Sequence, residues 1–245
     1  KAFDEVVHSN PMSLLQYGPM QGDAKLAELT LERLVKTHKM NPEGQGLIIS
    51  NGAGQLLGLV PITVLEPGDE VYMDEFTFTS AINSVRNMGG KALGIKTDEH
   101  GMIPSELEKA AQSGKGKYIY LIPNFQNPTG ITMPLERRKE IYAIASKYDL
   151  FIYEDDPYGE IRFAGQHVPA VKSFDKDGHV LYMSTFSKTL APGFRLGWLV
   201  ADAKVVDKLT VLKQSADLHT DNLAQYAVVE FLAHNDLDAH VKEIS

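Results

Sequence analysis

Between Ser184 and Trp198 the sequence runs Ser-Thr-Phe-Ser-Lys-Thr-Leu-Ala-Pro-Gly-Phe-Arg-Leu-Gly-Trp. Thr185 and Ser187 come just before Lys188, and Arg195 follows beyond a Pro-Gly turn able to fold the loop back on itself. Two hydroxyls and a guanidinium fork suit a phosphate dianion, and an amine set among them could form an imine. A lone lysine is ordinarily a solvated one, but these neighbours change that reading here.

Three other clusters could do chemistry. Ser50-Asn51-Gly52-Ala53-Gly54-Gln55 lies where a strand ends and a helix begins. Small residues there let backbone N–H groups approach an anion at the positive end of a helix dipole. Read through Gly58, with Asp74 at the end of the next strand, the same turn also fits a dinucleotide-binding unit of an NAD-dependent oxidoreductase, and it fits a bare tight turn as well. No Gly-Lys-Ser/Thr ending follows, so a nucleotide P-loop is excluded. Gln126-Asn127-Pro128-Thr129-Gly130 reads on spacing alone as a turn, for which a cis Asn127–Pro128 bond is a plausible device. Tyr153-Glu154-Asp155-Asp156-Pro157-Tyr158 closes a buried strand, and ligands bind outside the carboxyl ends of such strands. An acid and a phenol three residues apart, Asp155 and Tyr158, can address one small ligand.

The elements that must position these residues alternate. Strands are expected over 47–50, 70–73, 91–96, 117–122, 150–153, 179–183 and 196–200, with helices over 23–39, 55–65, 77–88, 104–112, 134–148, 203–214 and 221–244. The strands over 118–122 and 150–153 are almost wholly apolar or aromatic. That is the pattern of an α/β fold, a three-layer α/β/α arrangement in which helices cover both faces of a mainly parallel sheet. Residues 1–22 read as a loop rich in Gly and Pro.

Composition removes several classes of function. The chain has 245 residues, 43% hydrophobic and 23% charged, which is ordinary globular material. A net charge of −8 repels nucleic-acid backbones and anionic membranes, and no basic patch offsets it. The absence of Cys removes disulfides and thiolate chemistry and is compatible with a reducing cytoplasm. The eight His residues form no pair with metal-ligand spacing, so no metal site is expected. Trp198 is expected in the core, Asp156 as a helix or turn cap. Arg33, Arg86, Arg137, Arg138 and Arg162 are expected at the surface.

Taken together and in this order, the Gly-rich turn 51–54, Asn127-Pro128-Thr129-Gly130, Asp155-x-x-Tyr158, and Ser187-Lys188 with Pro192-Gly193-x-Arg195-x-Gly197 resemble the aminotransferases of classes I and II, pyridoxal-phosphate enzymes of fold type I. The resemblance runs from Leu15-Gln16-Tyr17-Gly18-Pro19 to the end of the chain. The loop around Lys188 looks most like the branch acting on 2-aminoadipate, kynurenine and aromatic amino acids, with a 2-oxo acid such as 2-oxoglutarate as the second substrate.

The resemblance implies pyridoxal 5′-phosphate as cofactor and a role for each matching residue. Lys188 would be the Schiff-base lysine and the acid/base at the substrate α-carbon. Asp155 would pair with the pyridine nitrogen and keep it protonated. Asn127 and Tyr158 would address the 3′-oxygen, and Phe78 would stack on the ring. Gly52, Ala53, Gly54, Thr185, Ser187 and Arg195 would hold the phosphate, joined by Tyr17 from the neighbouring subunit of a homodimer. Two positions depart from the pattern: Ala53 stands where many relatives have Ser or Thr, and Phe76 replaces a common Pro.

By the same resemblance, residues 1–245 are expected to be the large cofactor domain. The segments 1–22 and about 221–245 would lead toward a small domain, with the Arg that grips the substrate carboxylate expected beyond residue 245. Three rival readings stand beside this one. They are a lyase or synthase on the same scaffold, the effector-sensing domain of a transcription regulator, and the NAD-dependent oxidoreductase based on Gly52, Gly54, Gly58 and Asp74.

Overall fold

The computed structural model describes residues 2–9 and 11–245. In chain order the elements are α1 (Ala2–Ser9), α2 (Pro11–Leu14), α3 (Ala24–His38), β1 (Gln45–Asn51), α4 (Ala53–Val64), β2 (Glu70–Asp74), α5 (Thr79–Asn87) and β3 (Lys91–Ile95). A short hairpin, β4 (Thr97–Asp98) and β5 (Gly101–Met102), leads to α6 (Pro104–Ala111), β6 (Gly116–Leu121), α7 (Leu135–Lys147) and β7 (Phe151–Asp155). β8 (Val180–Thr185), β9 (Leu196–Asp202), α8 (Ala203–Asp217), α9 (Asn222–His234) and α10 (Leu237–Ile244) complete the chain.

Seven strands form one sheet in the order β1-β9-β8-β7-β6-β2-β3. β9 runs against both of its neighbours, and every other pairing in the sheet is parallel. Side chains alternate across the sheet. Ile48, Tyr118 and Tyr120 pack with α4, α5 and α8 on one face, whereas Leu47 and Ile49 meet α3, α9 and α10, and Ile119 and Leu121 meet α6 and α7, on the other. This is the three-layer architecture expected from the sequence. Among the described residues no helix is long and apolar enough to cross a membrane.

Three expectations need correction. The N-terminal segment is not all loop, because α1 and α2 occupy it and α1 packs on α9. The helix expected over 221–244 breaks at Asn235-Asp236, where Asp236 caps the N–H groups of Asp238 and Ala239. Most of the arginines expected at the surface are tied in. Only Arg86 among the five is classed as exposed. Arg33 forks onto Glu160 and Asp238, and Arg137 onto Asp98, while Arg162 lies with its Cζ 4.7 Å from the centre of the Phe125 ring.

Arg138 is fully buried. Its guanidinium donates to the carbonyls of Pro123, Met133 and Pro169 and to Asn124 Oδ1, so one side chain fastens the loops that follow β6 and β7 to α7. Burial lowers its pKa, and the nearby carboxylates Glu154 and Asp156 oppose that shift. Removing the fork would strand several buried acceptors at once. Arg138→Met is expected to cost about 3 kcal/mol or more in urea unfolding. A midpoint equal to wild type at unchanged m-value would show that the loops hold without it.

Candidate active site

The chemistry-bearing clusters converge because of the topology. Asn51 ends β1, Asp155 ends β7, and Thr185 ends β8, all on parallel strands. Asn127 lies in the loop after β6. The reversed strand β9 starts at this same edge, so Arg195 arrives beside the end of β1, where Ser50 faces Gly197 and Asn51 faces Leu196.

At the end of β1 the chain turns through Gly52, whose φ of 76° suits glycine. A Cβ at Gly52 would stand 2.4 Å from Arg195 Nη2, so the guanidinium lies across the first turn of α4. The N–H groups of Ala53 and Gly54 open that helix, with no carbonyl one turn behind them to receive their hydrogens. Ser187 closes the cup, its Oγ 3.5 Å from Arg195 Nη1 and 2.9 Å from Thr185 Oγ1. The buried Thr185 hydroxyl also reaches the Leu196 carbonyl at 2.7 Å and receives the Ser187 N–H. Thr185 therefore holds Ser187 in place and has little hydrogen-bonding capacity left for a guest.

Next to this cup is a cleft of about 270 Å³. Ala53, Gly54, Phe78, Asn127, Asp155, Tyr158, Thr185, Ser187, Lys188 and Arg195 all line it. Gly52 sits beneath Arg195 at its edge. Tyr17 does not line it, being 81% exposed and edge-on to His219 with ring centres 5.8 Å apart. Phe78 is half-buried at the N-cap of α5 and leans on the core, while Phe76 is exposed. Lys188 is exposed, with Nζ 5.9 Å from the centre of the Tyr158 ring. The Asn127–Pro128 peptide is cis.

Asp155 is buried, and burial pushes its pKa up to about 7. The Tyr120 hydroxyl donates to its Oδ2 at 2.6 Å, which lowers the pKa, while the negative charge of Asp156 raises it. Tyr120 went unrecognised in the sequence. It pairs across the strands with Tyr153, two residues before Asp155, and that shared face is the signal that could have found it. Burial and Asp155 raise the Tyr158 phenol, and the Asn127 side chain draws it back down.

Two sequence expectations fare differently. Asp156 is not a cap: it is buried, accepting from Asn124 Nδ2 at 2.9 Å and from the Tyr182 hydroxyl at 3.1 Å. Asp74 is buried too, near Gln126, and β2 pairs with β3 and β6 and not with β1. The dinucleotide reading needed a free carboxylate on the strand beside β1, and this fold does not provide one. Among the described residues no group of three or more His, Asp or Glu side chains is placed to hold a metal ion.

The sequence pattern of the family "Aminotransferase class I and II" matches residues 1–245. "Aromatic-amino-acid aminotransferase 1" of Thermococcus litoralis is 34% identical over 98% of this chain and 59% of its own length. The crystal structure of Pyrococcus horikoshii kynurenine aminotransferase, in complex with PMP, KYN and KYA, superposes with a TM-score of 0.95 at 35% identity. It covers 99% of this chain and 61% of the other. An uncharacterized HTH-type transcriptional regulator of Bacillus subtilis, YdfD, is 32% identical over 96% of this chain and 49% of its own. The chain thus spans about half to three-fifths of the length of these relatives.

The buried Asp155 carboxyl leads to a prediction for the cofactor-free protein. An acid whose folded pKa of about 7 lies above its unfolded value near 4 binds its proton more tightly when folded, so its contribution to stability falls as pH rises between the two. Asp155→Asn removes that slope. The variant is expected to melt several degrees above wild type at pH 8 and to converge on it only near pH 4, at the unfolded pKa, each kcal/mol amounting to about 2–4 °C. A difference that does not change with pH would show that Asp155 is not the titrating group.

Proposed function

Since this chain belongs to the class I and II aminotransferases, we propose that it binds pyridoxal 5′-phosphate and moves an amino group between an amino acid of aromatic, kynurenine or 2-aminoadipate type and a 2-oxo acid such as 2-oxoglutarate. One observation carries the reading: Lys188 opens onto a cleft with an anion cup at one end and the buried carboxyl of Asp155 within it. The cofactor's chemistry fits those groups. A phosphate suits the Ala53 and Gly54 amides, Ser187 and Arg195. A cationic ring nitrogen would relieve the cost that burial imposes on an ionised Asp155.

Bound there, pyridoxal phosphate supplies a carbonyl for amines to attack and an electron-poor ring that draws negative charge from a substrate α-carbon. The protein supplies the rest. Lys188 Nζ would hold the cofactor and, once displaced by substrate, would serve as the general base and acid for the α-proton. Asp155 would keep a proton on the ring nitrogen, and Tyr120 fixes the orientation of that carboxylate. Asn127, Tyr158 and Phe78 line the cleft and would hold the ring, the first two through hydrogen bonds and Phe78 by stacking, while Thr185 steadies Ser187.

The same reading makes this chain the large cofactor domain of a cytoplasmic homodimer. Exposed Leu15 and Tyr17, with Leu218 beside the Tyr17 contact residue His219, support a subunit interface there, through which Tyr17 would reach the partner's phosphate cup. The similarity to an HTH-type regulator favours a second reading, in which an equivalent cofactor module senses an effector.

Borohydride reduction of the full chain followed by peptide mapping should fix the cofactor on the peptide holding Lys188, and a label on any other lysine would refute the assignment. Single-turnover conversion by Glu, 2-aminoadipate, kynurenine and Phe, measured on a chain extended at both ends, then separates enzyme from regulator: no turnover with any donor, despite labelled Lys188, favours the sensor. Light scattering should give twice the chain mass. Tyr17→Ala should weaken cofactor retention, and unchanged retention would remove Tyr17 from the partner's site.

A further inference from the structure

Asp217 lies in the last turn of α8, where the carbonyl end of the helix dipole disfavours a carboxylate. Its side chain is only 16% exposed, and the Lys213 side chain one turn earlier is wholly buried. Neither residue lines the cleft. What compensates this placement is a set of donors converging on one carboxylate. Lys213 Nζ donates to Oδ1 at 3.0 Å, while Asn51 Nδ2 and Gln55 Nε2 both donate to Oδ2, at 2.5 and 2.8 Å. Gln55 Oε1 in turn accepts the Asn51 backbone N–H at 2.9 Å.

Asn51 and Gln55 bracket the turn Gly52-Ala53-Gly54, so the carboxylate grips that turn from both sides. The turn's own bonds are local ones at Gly52, from the Ser50 hydroxyl and the Gln55 N–H to its carbonyl and from its N–H to the Ser50 carbonyl. Two of its three residues are glycines, and Ala53 offers no hydroxyl, so an anion must be met by backbone N–H groups wherever the chain happens to hold them. We propose that Asp217, paired with Lys213, is a positioning residue for the anion cup. Through Asn51 and Gln55 it sets where the Ala53 and Gly54 amides point. The proposal rests on the cofactor reading above, which makes this cup the phosphate site.

The test uses the full-chain holoenzyme and two variants. Gln55→Leu removes one strap and leaves the Lys213–Asp217 pair intact, and the double variant Lys213→Met/Asp217→Asn removes the pair without leaving a buried charge alone. Cofactor retention is read by equilibrium dialysis, and inorganic phosphate serves as competitor for cofactor uptake. Both variants are expected to raise the cofactor dissociation constant and the inhibition constant of inorganic phosphate in parallel, each by about tenfold. A pair that merely braces α8 would lower the melting temperature and leave both constants alone. Constants within about twofold of wild type in both variants overturn the proposal. So does a loss confined to the double variant, because Gln55→Leu would then show that the strap carries nothing. If wild type itself takes up neither cofactor nor phosphate, the cofactor reading fails and takes this proposal with it, an outcome seen before any variant is compared.

Discussion

The close approach of Gly197 to the start of α4 is the contact on which the rest of the site depends. A Cβ at Gly197 would stand 2.5 Å from the Ala53 nitrogen and 2.7 Å from the Gly52 carbonyl carbon, so only a bare backbone lets β9 pass beneath that turn. β9 is also the reversed strand, inserted between β1 and β8. The reversal lets the segment after β8 return at once, presenting Ser187 and Lys188 on the way out and Arg195 on the way back. A parallel β9 would need a long crossover, and its first residue would lie at the opposite edge of the sheet. Arg195 itself sits at φ 50°, a left-handed conformation uncommon for any residue but glycine, and its guanidinium lies over Gly52.

The second constraint is charge. Glu154, Asp155 and Asp156 are consecutive and all buried, an arrangement that would destabilise the fold if each carboxylate were left to itself. The chain treats the three differently. Glu154 accepts the N–H groups of Val171 and Lys172, and Asp156 accepts from Asn124 and Tyr182. Asp155 has a single side-chain donor, Tyr120, and it is the one of these three that lines the cleft. The least satisfied acid therefore faces the space where a cation could bind. On the proposed cofactor reading this placement would favour a protonated ring nitrogen, because the unrelieved desolvation is recovered only by a partner that carries charge.

Much of this was legible in the sequence, for physical reasons. Strands that are almost wholly apolar announce a sheet covered on both faces, and small or Pro-containing turns at their carboxyl ends mark the edge where ligands bind. The residues that escaped notice are those whose role is decided by distant partners. Arg138 sits in Leu-Glu-Arg-Arg-Lys-Glu, which looks like a solvated helix face, and only the loops from 123–124 and 168–169 make it a buried hub. Asp156 looks like a turn residue until Asn124 and Tyr182 close over it. Tyr120 and Asp217 act across strand pairing and helix docking, neither of which a single sequence displays. The break between α9 and α10 did carry a local signal, Asn235-Asp236, overridden by the apolar periodicity on either side.

Net charge and local field point in opposite directions in this protein, and their ranges reconcile them. The formal charge of −8 is spread over the whole surface, where salt screens it beyond about 8–10 Å. The cup acts at contact distance, with a guanidinium and the free amides of α4 directed at a small volume. At that range the nearby donors outweigh a diffuse negative background, so an acidic chain can hold a phosphate dianion while still repelling a polyanion that must lie along its surface. The same reasoning explains why the Asp217 carboxylate can sit beneath an anion site without defeating it. Its charge is met by Lys213 and by two side-chain amides, so what it transmits to the turn is geometry more than repulsion.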